Sequence, residues 1–185
     1  MRIVGGRHRG RPIAAPEGPD VRPTSDRVRE ALFNLLSHGR IARDGDPVAG
    51  AHVLDAFAGA GALALEALSR GAASATAFDL APAAIAAVKA NARSLRETVD
   101  ARQADATRPP PAETSATLVF LDPPYGKDMA APTLQALDAA GWIAPGAVVS
   151  VETGAKEELV LPPGFALEDA RRYGRSKIWL LRRAG

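Results

Sequence analysis

The residues with the clearest chemical potential are Asp122-Pro123-Pro124-Tyr125, which directly follow the apolar run Leu118–Leu121. Proline donates no backbone hydrogen bond, so the two prolines should end the hydrogen-bond ladder of a strand and stiffen the turn after it. The Asp122 carboxylate and the Pro123 carbonyl can then accept hydrogen bonds at the strand end, and Tyr125 adds a flat ring beside them. Two acceptors and a stacking surface suit the exocyclic amino group of a nucleobase, so the motif predicts a type of substrate.

A second group of chemical interest is the loop Asp55-Ala56-Phe57-Ala58-Gly59-Ala60-Gly61, which follows another short apolar run. Its glycines would let the backbone pass close to a ligand before a helix begins. The dinucleotide fingerprint requires a third glycine where this chain has Ala64. An acid directly before the loop suits a cationic ligand better than a pyrophosphate, and S-adenosylmethionine carries a sulfonium and an amino group. A tight turn without a ligand is the alternative.

Two further acids follow predicted strands. Asp79 comes 24 residues after Asp55, where a carboxylate can accept hydrogen bonds from both ribose hydroxyls of a nucleoside. Asp105 follows a weak third strand and could accept from an adenine amino group. The alternatives are a helix-capping role for Asp79 and no ligand role for Asp105. Since ligands of parallel sheets bind at the carboxyl ends of the strands, these acids and the glycine loop together predict one nucleoside pocket.

The elements that must position these residues alternate between strand and helix signals from residue 53 onward, which predicts an α/β fold with a largely parallel sheet and helices on both faces. Apolar residues at helical spacing predict a preceding helix over 25–37. Residues 165–167 and 178–181 are expected to pair as a terminal antiparallel hairpin. The parallel strands are predicted at 53–54, 74–78, 99–103, 118–121 and 147–151. Of the helices between them, the first is expected to end near Gly71, the second to begin at Pro82 and extend to about residue 95, and the third to contain Leu134 and Leu137 and to end near Gly141.

Composition bounds the class of protein. The chain has 185 residues, enough for one well-buried domain, with 46% hydrophobic and 24% charged residues. It contains no cysteine, which excludes disulfides and thiolate metal sites, and its three histidines show no metal-ligand spacing. No apolar run approaches the ~20 residues that span a bilayer, and the N-terminus lacks the apolar core of a secretory signal. We expect a cytoplasmic protein without a metal, and a monomer by default.

Charge is unevenly distributed along the chain. The net charge is +2, but residues 1–29 carry +4, residues 30–170 carry −8 and residues 171–185 carry +6. The basic ends predict contacts with the phosphates of a nucleic acid. Solvated tails are the alternative, as are a helix surface for Arg27 and ion pairs of Arg175 and Lys177 with Glu168 and Asp169. The candidates for RNA contact are Arg2, Arg7, Arg9, Arg11, Arg22, Arg27, Arg175 and Lys177.

Several blocks of the chain resemble one family, the bacterial 16S ribosomal RNA (guanine-N2)-methyltransferases of the RsmD type. The segment 22–34, Arg-Pro-Thr-Ser-Asp-Arg-Val-Arg-Glu-Ala-Leu-Phe-Asn, is its most specific block, whereas the tetrapeptide 122–125 is shared with many amino-methyltransferases. Residues 1–11, 53–72 and 173–177 are also similar to family motifs. Ala60 and Ala64 stand where the family often has serine and glycine, Asp79 stands where glutamate is common, and residues 103–105 depart from its usual glycine-acid pair.

The resemblance implies a Rossmann-like fold with a mostly parallel seven-stranded sheet, formed by residues 25–185 behind a basic N-terminal arm of residues 1–24. It implies S-adenosylmethionine-dependent methylation of the N2 amino group of one guanine in 16S ribosomal RNA, in an assembled small subunit or an assembly intermediate. The implied catalytic residues are Asp122, Pro123, Pro124 and Tyr125. The implied cofactor-binding residues are Thr24, Asp55, Phe57, Ala58, Gly59, Gly61, Asp79, Leu80, Asp105 and Ala106.

Three other classes are less compatible with these residues. A DNA amino-methyltransferase would use the same tetrapeptide but usually carries an added recognition region, for which this compact chain has no room. A non-enzymatic RNA-binding protein on the same fold would be expected to lose Asp122 or the loop glycines. A nicotinamide oxidoreductase is disfavoured by Ala64 and by the absence of a catalytic Tyr-Lys or histidine arrangement.

Overall fold

The computed structural model describes residues 1–15 and 25–185, which form one seven-stranded sheet in the order β3-β2-β1-β4-β5-β7-β6. Strands β1 to β5 run parallel, and β7 pairs antiparallel with both β5 and β6. The strands are β1 (His52–Asp55), β2 (Ser74–Asp79), β3 (Asp100–Gln103), β4 (Ala116–Leu121), β5 (Ile143–Gly154), β6 (Phe165–Tyr173) and β7 (Ser176–Arg183). The helices are α1 (Asp26–His38), α2 (Ala62–Ser69), α3 (Pro82–Leu95) and α4 (Ala130–Ala139), with 3₁₀ turns at Gly6–His8 and Arg40–Asp44.

The core lies on both faces of the sheet. Helices α1, α2 and α3 pack on one face, while α4 packs on the other against β4 and β5. Strand β4 reads as a continuous apolar run because neighbours cover both of its faces, and Leu118–Leu121 are each at most 1% exposed. The central strands are thereby held rigidly, and their carboxyl ends all open at one edge.

Local sequence explains where the helices begin. The Ser25 hydroxyl accepts a hydrogen bond from the Val28 N–H at 3.2 Å and caps α1. Helix α2 starts after Gly61, which has a left-handed backbone with φ 78°. Pro82 occupies the first turn of α3, where its missing N–H costs nothing. All four predicted helices are present: α1 lies within a residue of its predicted range, α3 begins at Pro82 as predicted, and α2 and α4 end just before the glycines that were predicted to stop them.

The described part of the basic arm, residues 1–15, is packed against the helical layer. Arg2 bridges Pro12 in antiparallel fashion, and the Ile3 N–H donates to the Arg11 carbonyl at 2.9 Å. Ile3 and Ile13 are 0% and 3% exposed and join the core beside α1 and α2. The arm is therefore a hairpin-like layer on the domain over these residues.

The strands near the C-terminus are longer than their sequence patterns indicated. Strand β5 spans 12 residues and begins at Ile143, before Gly146, with a register shift opposite Ala116 and Leu118. Strands β6 and β7 span 9 and 8 residues. Apolar patterning marked only the start of β6, a strand with no buried residue, and the buried apolar middle of β7. Within the described residues no helix is both long enough and apolar enough to cross a membrane.

Candidate functional site

The sheet brings four acids to its carboxyl edge. Asp55 ends β1, Asp79 ends β2, Asp122 follows β4 and Glu152 lies near the end of β5. Because β1 pairs with both β2 and β4, and β4 pairs with β5, these positions form one row along neighbouring strands. The predicted glycine loop and tetrapeptide therefore lie side by side.

Asp79 holds the glycine loop in place. Its Oδ2 accepts from the Gly59 N–H at 2.9 Å, and its Oδ1 accepts from the Ala81 N–H at 2.8 Å at the start of α3. Gly59 has φ 51°, and a Cβ at this position would meet no atom within 4 Å. The loop thus presents open backbone at the carboxyl edge, which is the kind of surface that a nucleoside can approach closely.

Asp55 is buried beneath this loop, with 1% of its surface exposed. Its Oδ2 accepts from the Ala64 N–H at 3.2 Å, while Oδ1 has no hydrogen-bond partner in the described part of the chain. Burial raises the pKa of Asp55 to about 7, the backbone N–H groups of Ala64 and Phe57 oppose the rise, and the negative charge of Asp79 adds to it. An unsatisfied buried carboxylate is expensive, and a cationic or N–H donor group would offset that cost.

The other predicted cofactor residues surround the loop. Leu80 is 61% exposed although it is a large apolar residue, so it offers an apolar surface beside Asp79. Ala58 and Ala106 are buried, and Phe57 is half-buried. The Oδ1 of Asp105 accepts from the Thr107 N–H and hydroxyl at 2.9 and 2.6 Å, which lowers the pKa of Asp105. Asp105 thus closes its own turn.

The tetrapeptide is fixed by its aromatic residue. The Tyr125 hydroxyl donates to Glu152 Oε1 at 2.5 Å and lies 2.8 Å from the Ser176 hydroxyl on β7. Partial burial and the bond to Glu152 raise the pKa of Tyr125 above its ordinary value. The phenol therefore stays protonated, and the hydroxyl end of its ring is fixed to β5 and β7.

A cleft of about 150 Å³ opens beside the two prolines of the tetrapeptide. Pro123 and Pro124 line one side of it, and Glu152 and Thr153 at the end of β5 line another. Residues 155–164 form a rim that is tied to the tetrapeptide, because Glu157 Oε1 accepts from the Gly126 N–H at 2.8 Å. Glu152, Ser176 and Glu157 were not predicted from the sequence, since nothing local marks them.

The predicted basic turn lies at the same edge. Residues 174–175 connect β6 to β7, and Ser176, which contacts Tyr125, pairs with Gly154. Arg175 is exposed. The Lys177 ammonium lies 3.2 Å from Glu158 Oε1 and 3.6 Å from the centre of the Trp179 ring.

The alternative ion pairs considered for the basic turn do not form. Glu168 instead pairs with Arg182 at 3.2 Å, and Asp169 pairs with Arg171 at 3.1 Å. Lys177 contacts Glu158 and the Trp179 ring instead, and Arg175 is exposed beside the rim of residues 155–164, where its carbonyl accepts from the Ala155 N–H.

The arginines of the arm lie elsewhere. Arg7 pairs with Glu97 at 2.5 Å, and Arg11 donates to the Ser94 carbonyl at 2.9 Å, both at the C-terminal end of α3. Helix α3 has 14 residues, so this end is about 20 Å from the carboxyl edge where the helix begins. Arg7 and Arg11 therefore lie on a different part of the surface from the basic turn of residues 173–177. Arg2, Arg9 and Arg27 are exposed, whereas Arg22 and Thr24 lie outside the described residues.

Asn91, another residue that sequence reasoning missed, joins the arm to the glycine loop. It is 4% exposed on α3, and its amide accepts from the Ala14 N–H at 3.0 Å and donates to the Ala14 carbonyl at 2.9 Å. The same amide nitrogen lies 3.0 Å from the Ala60 carbonyl. A polar residue on the buried face of an apolar helix was the only sequence signal.

A buried ion cluster of Arg29, Glu66 and Arg70 ties α1, α2 and the arm together. Glu66 is fully buried; its Oε1 accepts from Arg70 at 2.8 Å, and its Oε2 accepts from the Val4 N–H at 2.8 Å and lies 3.5 Å from Arg29. The Arg29 guanidinium also donates to the Arg2 carbonyl. Residues from blocks 1–11, 22–34 and 53–72 thus meet in one place.

A family model described as Conserved hypothetical protein 95 matches residues 1–182. The chain belongs to this family. It is the RsmD family that the motifs predicted, and the match extends well beyond the shared tetrapeptide.

Individual relatives agree with the family assignment. The chain is 35% identical over 192 residues to Ribosomal RNA small subunit methyltransferase D of Escherichia coli K12, covering 99% of this chain and 90% of the relative. The same-named protein of Haemophilus influenzae is 32% identical over 180 residues, covering 94% and 89%. The solved structure of YhhF from Escherichia coli superposes with a TM-score of 0.81 at 32% identity, covering 100% and 98%. The predicted Rossmann-like methyltransferase fold is confirmed.

Proposed function

We propose that this protein methylates the N2 amino group of one guanine in 16S ribosomal RNA, using S-adenosylmethionine as the methyl donor. The observation that carries the proposal is the arrangement at the carboxyl edge. There the glycine loop, above an Asp55 oxygen that has no hydrogen bond, lies beside the end of β4. That strand end is followed by two prolines and by Tyr125, whose hydroxyl is bonded to Glu152. Family membership supports ribosomal RNA as the substrate, since relatives covering nearly the whole chain carry that name.

The residues of the first pocket fit the proposed cofactor. Asp55 Oδ1 needs a donor or a positive charge, Gly59 leaves open space above the loop, and Leu80 offers an exposed apolar face for a purine. Asp79 keeps acceptor capacity for ribose hydroxyls, because each carboxylate oxygen has more than one lone pair. When bound, S-adenosylmethionine supplies a methyl group activated by a positively charged sulfur.

The tetrapeptide orients the nucleophile in this proposal. The Asp122 carboxylate and the Pro123 carbonyl accept the two N–H bonds of the guanine amino group, which directs the nitrogen lone pair toward the first pocket. Tyr125 stacks on the base, a contact worth ~1–3 kcal/mol in comparable complexes. The base must be unstacked to reach the cleft. Catalysis then consists mainly of positioning and of acceptors arranged in advance.

The RNA contacts are assigned to cations on two surfaces, the basic turn at this edge and the N-terminal arm with α1. Arg175 and Lys177 lie beside the cleft, and Arg2, Arg9 and Arg27 are exposed on the arm and α1. Arg7 and Arg11 lie about 20 Å away along α3, which suits a folded RNA or an assembled particle better than a short strand. We propose that the protein acts as a cytoplasmic monomer on a small subunit or an assembly intermediate.

The test is transfer of a labelled methyl group from S-adenosylmethionine to four substrates offered side by side: small subunits, assembly intermediates, naked 16S RNA and DNA. We expect label on the N2 of one guanine in RNA, with a particle as the best substrate. Asp122→Ala should abolish transfer, whereas Glu113→Ala, at an exposed loop acid far from the edge, should retain it. Label on DNA alone, or full activity of Asp122→Ala, would overturn the proposal.

A further inference from the structure

Glu152 is placed to contact a base held by the tetrapeptide. Strands β4 and β5 are parallel and in register, with Leu121 opposite Val151, so Asp122 and Glu152 occupy equivalent positions one residue further along. Neighbouring strands lie ~4.8 Å apart, and side chains at equivalent positions point to the same face. Glu152 also lines the cleft together with Pro123 and Pro124.

The two oxygens of Glu152 have different surroundings. Oε1 accepts from the Tyr125 hydroxyl at 2.5 Å, whereas no hydrogen bond to Oε2 is formed by the described residues. The residue is only 9% exposed. A nearly buried carboxylate with one hydrogen bond leaves acceptor capacity unused, and a donor entering from the cleft would complete it.

The chemistry of the bases decides which donor this could be. On the Watson–Crick edge of guanine, the N2 amino group is next to a second donor, N1–H. In adenine and cytosine the ring nitrogen beside the amino group is an acceptor. A carboxylate facing that ring atom therefore accepts a hydrogen bond from guanine and repels the lone pair of the other two bases.

We infer that Glu152 is the specificity-determining residue of the cleft and selects guanine by accepting its N1–H. The inference rests on the proposed function, because it assumes that the amino group is held by Asp122 and Pro123. In this arrangement one carboxylate performs two tasks: Oε1 anchors the stacking ring and Oε2 reads the base. Sites built to bond a polar group discriminate strongly against analogues that lack it.

The test uses a base that differs from guanine at the relevant atom. 2-Aminopurine keeps the 2-amino group but has an acceptor at N1 and lacks the 6-oxo group. Small subunits are reconstituted with 16S RNA carrying either base at the modified position, and kcat/KM is measured for both. We expect the wild-type protein to prefer guanine by about 100-fold.

Variants of Glu152 test whether the preference for guanine comes from the contact of this residue with N1 or from other differences between the two purines. Glu152→Gln can turn its amide NH₂ toward the N1 acceptor, so the preference should fall below about tenfold. Glu152→Ala removes the acceptor and should also reduce the preference, which keeps the test informative if one variant folds poorly. Tyr125→Phe is the matched control: it removes the same hydrogen bond to Oε1 but keeps the carboxylate, so the preference should persist.

The possible results are distinguishable from failure of the proposed function. If the wild-type protein methylates no guanine N2 in any particle, the proposed function itself fails. If it does methylate guanine N2 and the Glu152 variants slow both substrates equally, the inference is wrong and Glu152 acts only through Tyr125. A loss of preference in Tyr125→Phe equal to that in Glu152→Gln would lead to the same conclusion.

Discussion

Replacing Asp55 by asparagine should change the pH dependence of stability in a way that reports on the cofactor pocket. Burial raises the pKa of this carboxyl from 3.8 to about 7, so the folded protein without cofactor holds its proton more tightly than the unfolded chain does. Stability from this group is therefore fully present near pH 4 and is lost as pH rises toward 7. Above that pH the loss is constant.

The size of the effect follows from the difference of about three pKa units. At about 1.36 kcal/mol per unit, the wild-type protein should lose on the order of 4 kcal/mol relative to Asp55→Asn between pH 4 and pH 8. No discount for solvent screening applies, because only 1% of the surface of Asp55 is exposed. At pH 8 the net gain of the variant is smaller, since the new amide NH₂ lacks an acceptor and costs about 1–3 kcal/mol.

Urea unfolding without cofactor at pH 4, 6 and 8 measures this difference directly. Asp100→Asn, which removes an exposed carboxylate on β3, controls for the loss of an acid as such. Added S-adenosylmethionine should stabilise the wild-type protein and leave Asp55→Asn nearly unchanged. Parallel stability curves for the wild-type protein and Asp55→Asn would refute the reasoning about the buried carboxylate.

Three further outcomes are expected. Tyr125→Phe should lower kcat about tenfold with RNA affinity changed less than twofold, because the ring remains while its anchor is lost; an unchanged kcat would mean the anchor is not needed. Glu66→Gln should lower the free energy of unfolding by about 3–5 kcal/mol, since it breaks the buried ion cluster. The control Glu158→Gln, at the surface, should change the free energy of unfolding by less than about 0.5 kcal/mol. Equal effects of the two substitutions would contradict this prediction. Gly61→Ala should lower the free energy of unfolding, measured in urea, by about 1–2 kcal/mol. The backbone there has a φ of 78°, and a Cβ would lie 3.1 Å from the Val88 side chain. A stabilised variant would exclude such strain.

Much of the fold could be predicted because its signals are local. Pro82 and Gly61 mark helix starts, Pro123 and Pro124 end a strand, and the apolar run 118–121 is a strand covered on both faces. Each signal depends only on residues that are close neighbours in the sequence. The length of β6 was underestimated because residues 168–172 are mostly charged and no residue of the strand is buried, so apolar patterning does not detect it.

The positions of the acids in the proposed cofactor pocket could also be predicted from the sequence, but the contacts that each acid makes could not. Asp55 and Asp79 were placed correctly at strand ends, since parallel strands bring their carboxyl ends to one edge. Three contacts depend on ångström-scale geometry. Asp79 accepts from the Gly59 N–H, Asp55 keeps one oxygen without a hydrogen bond, and Asp105 accepts from Thr107 in its own turn. Residue type and spacing do not specify such distances.

The sequence alone determined the class of fold, the order of its elements and the residue types at the ends of β1, β2 and β4. It could do so because neighbouring residues set the local backbone preferences, which in turn set the order of strands and helices. Tertiary structure alone decided which distant residues complete the site. Glu152 and Ser176 reach Tyr125 from 27 and 51 residues away, and Asn91 bonds Ala14 across 77. These contacts depend on strand register and crossover geometry, which are set only when the whole chain packs around one sheet.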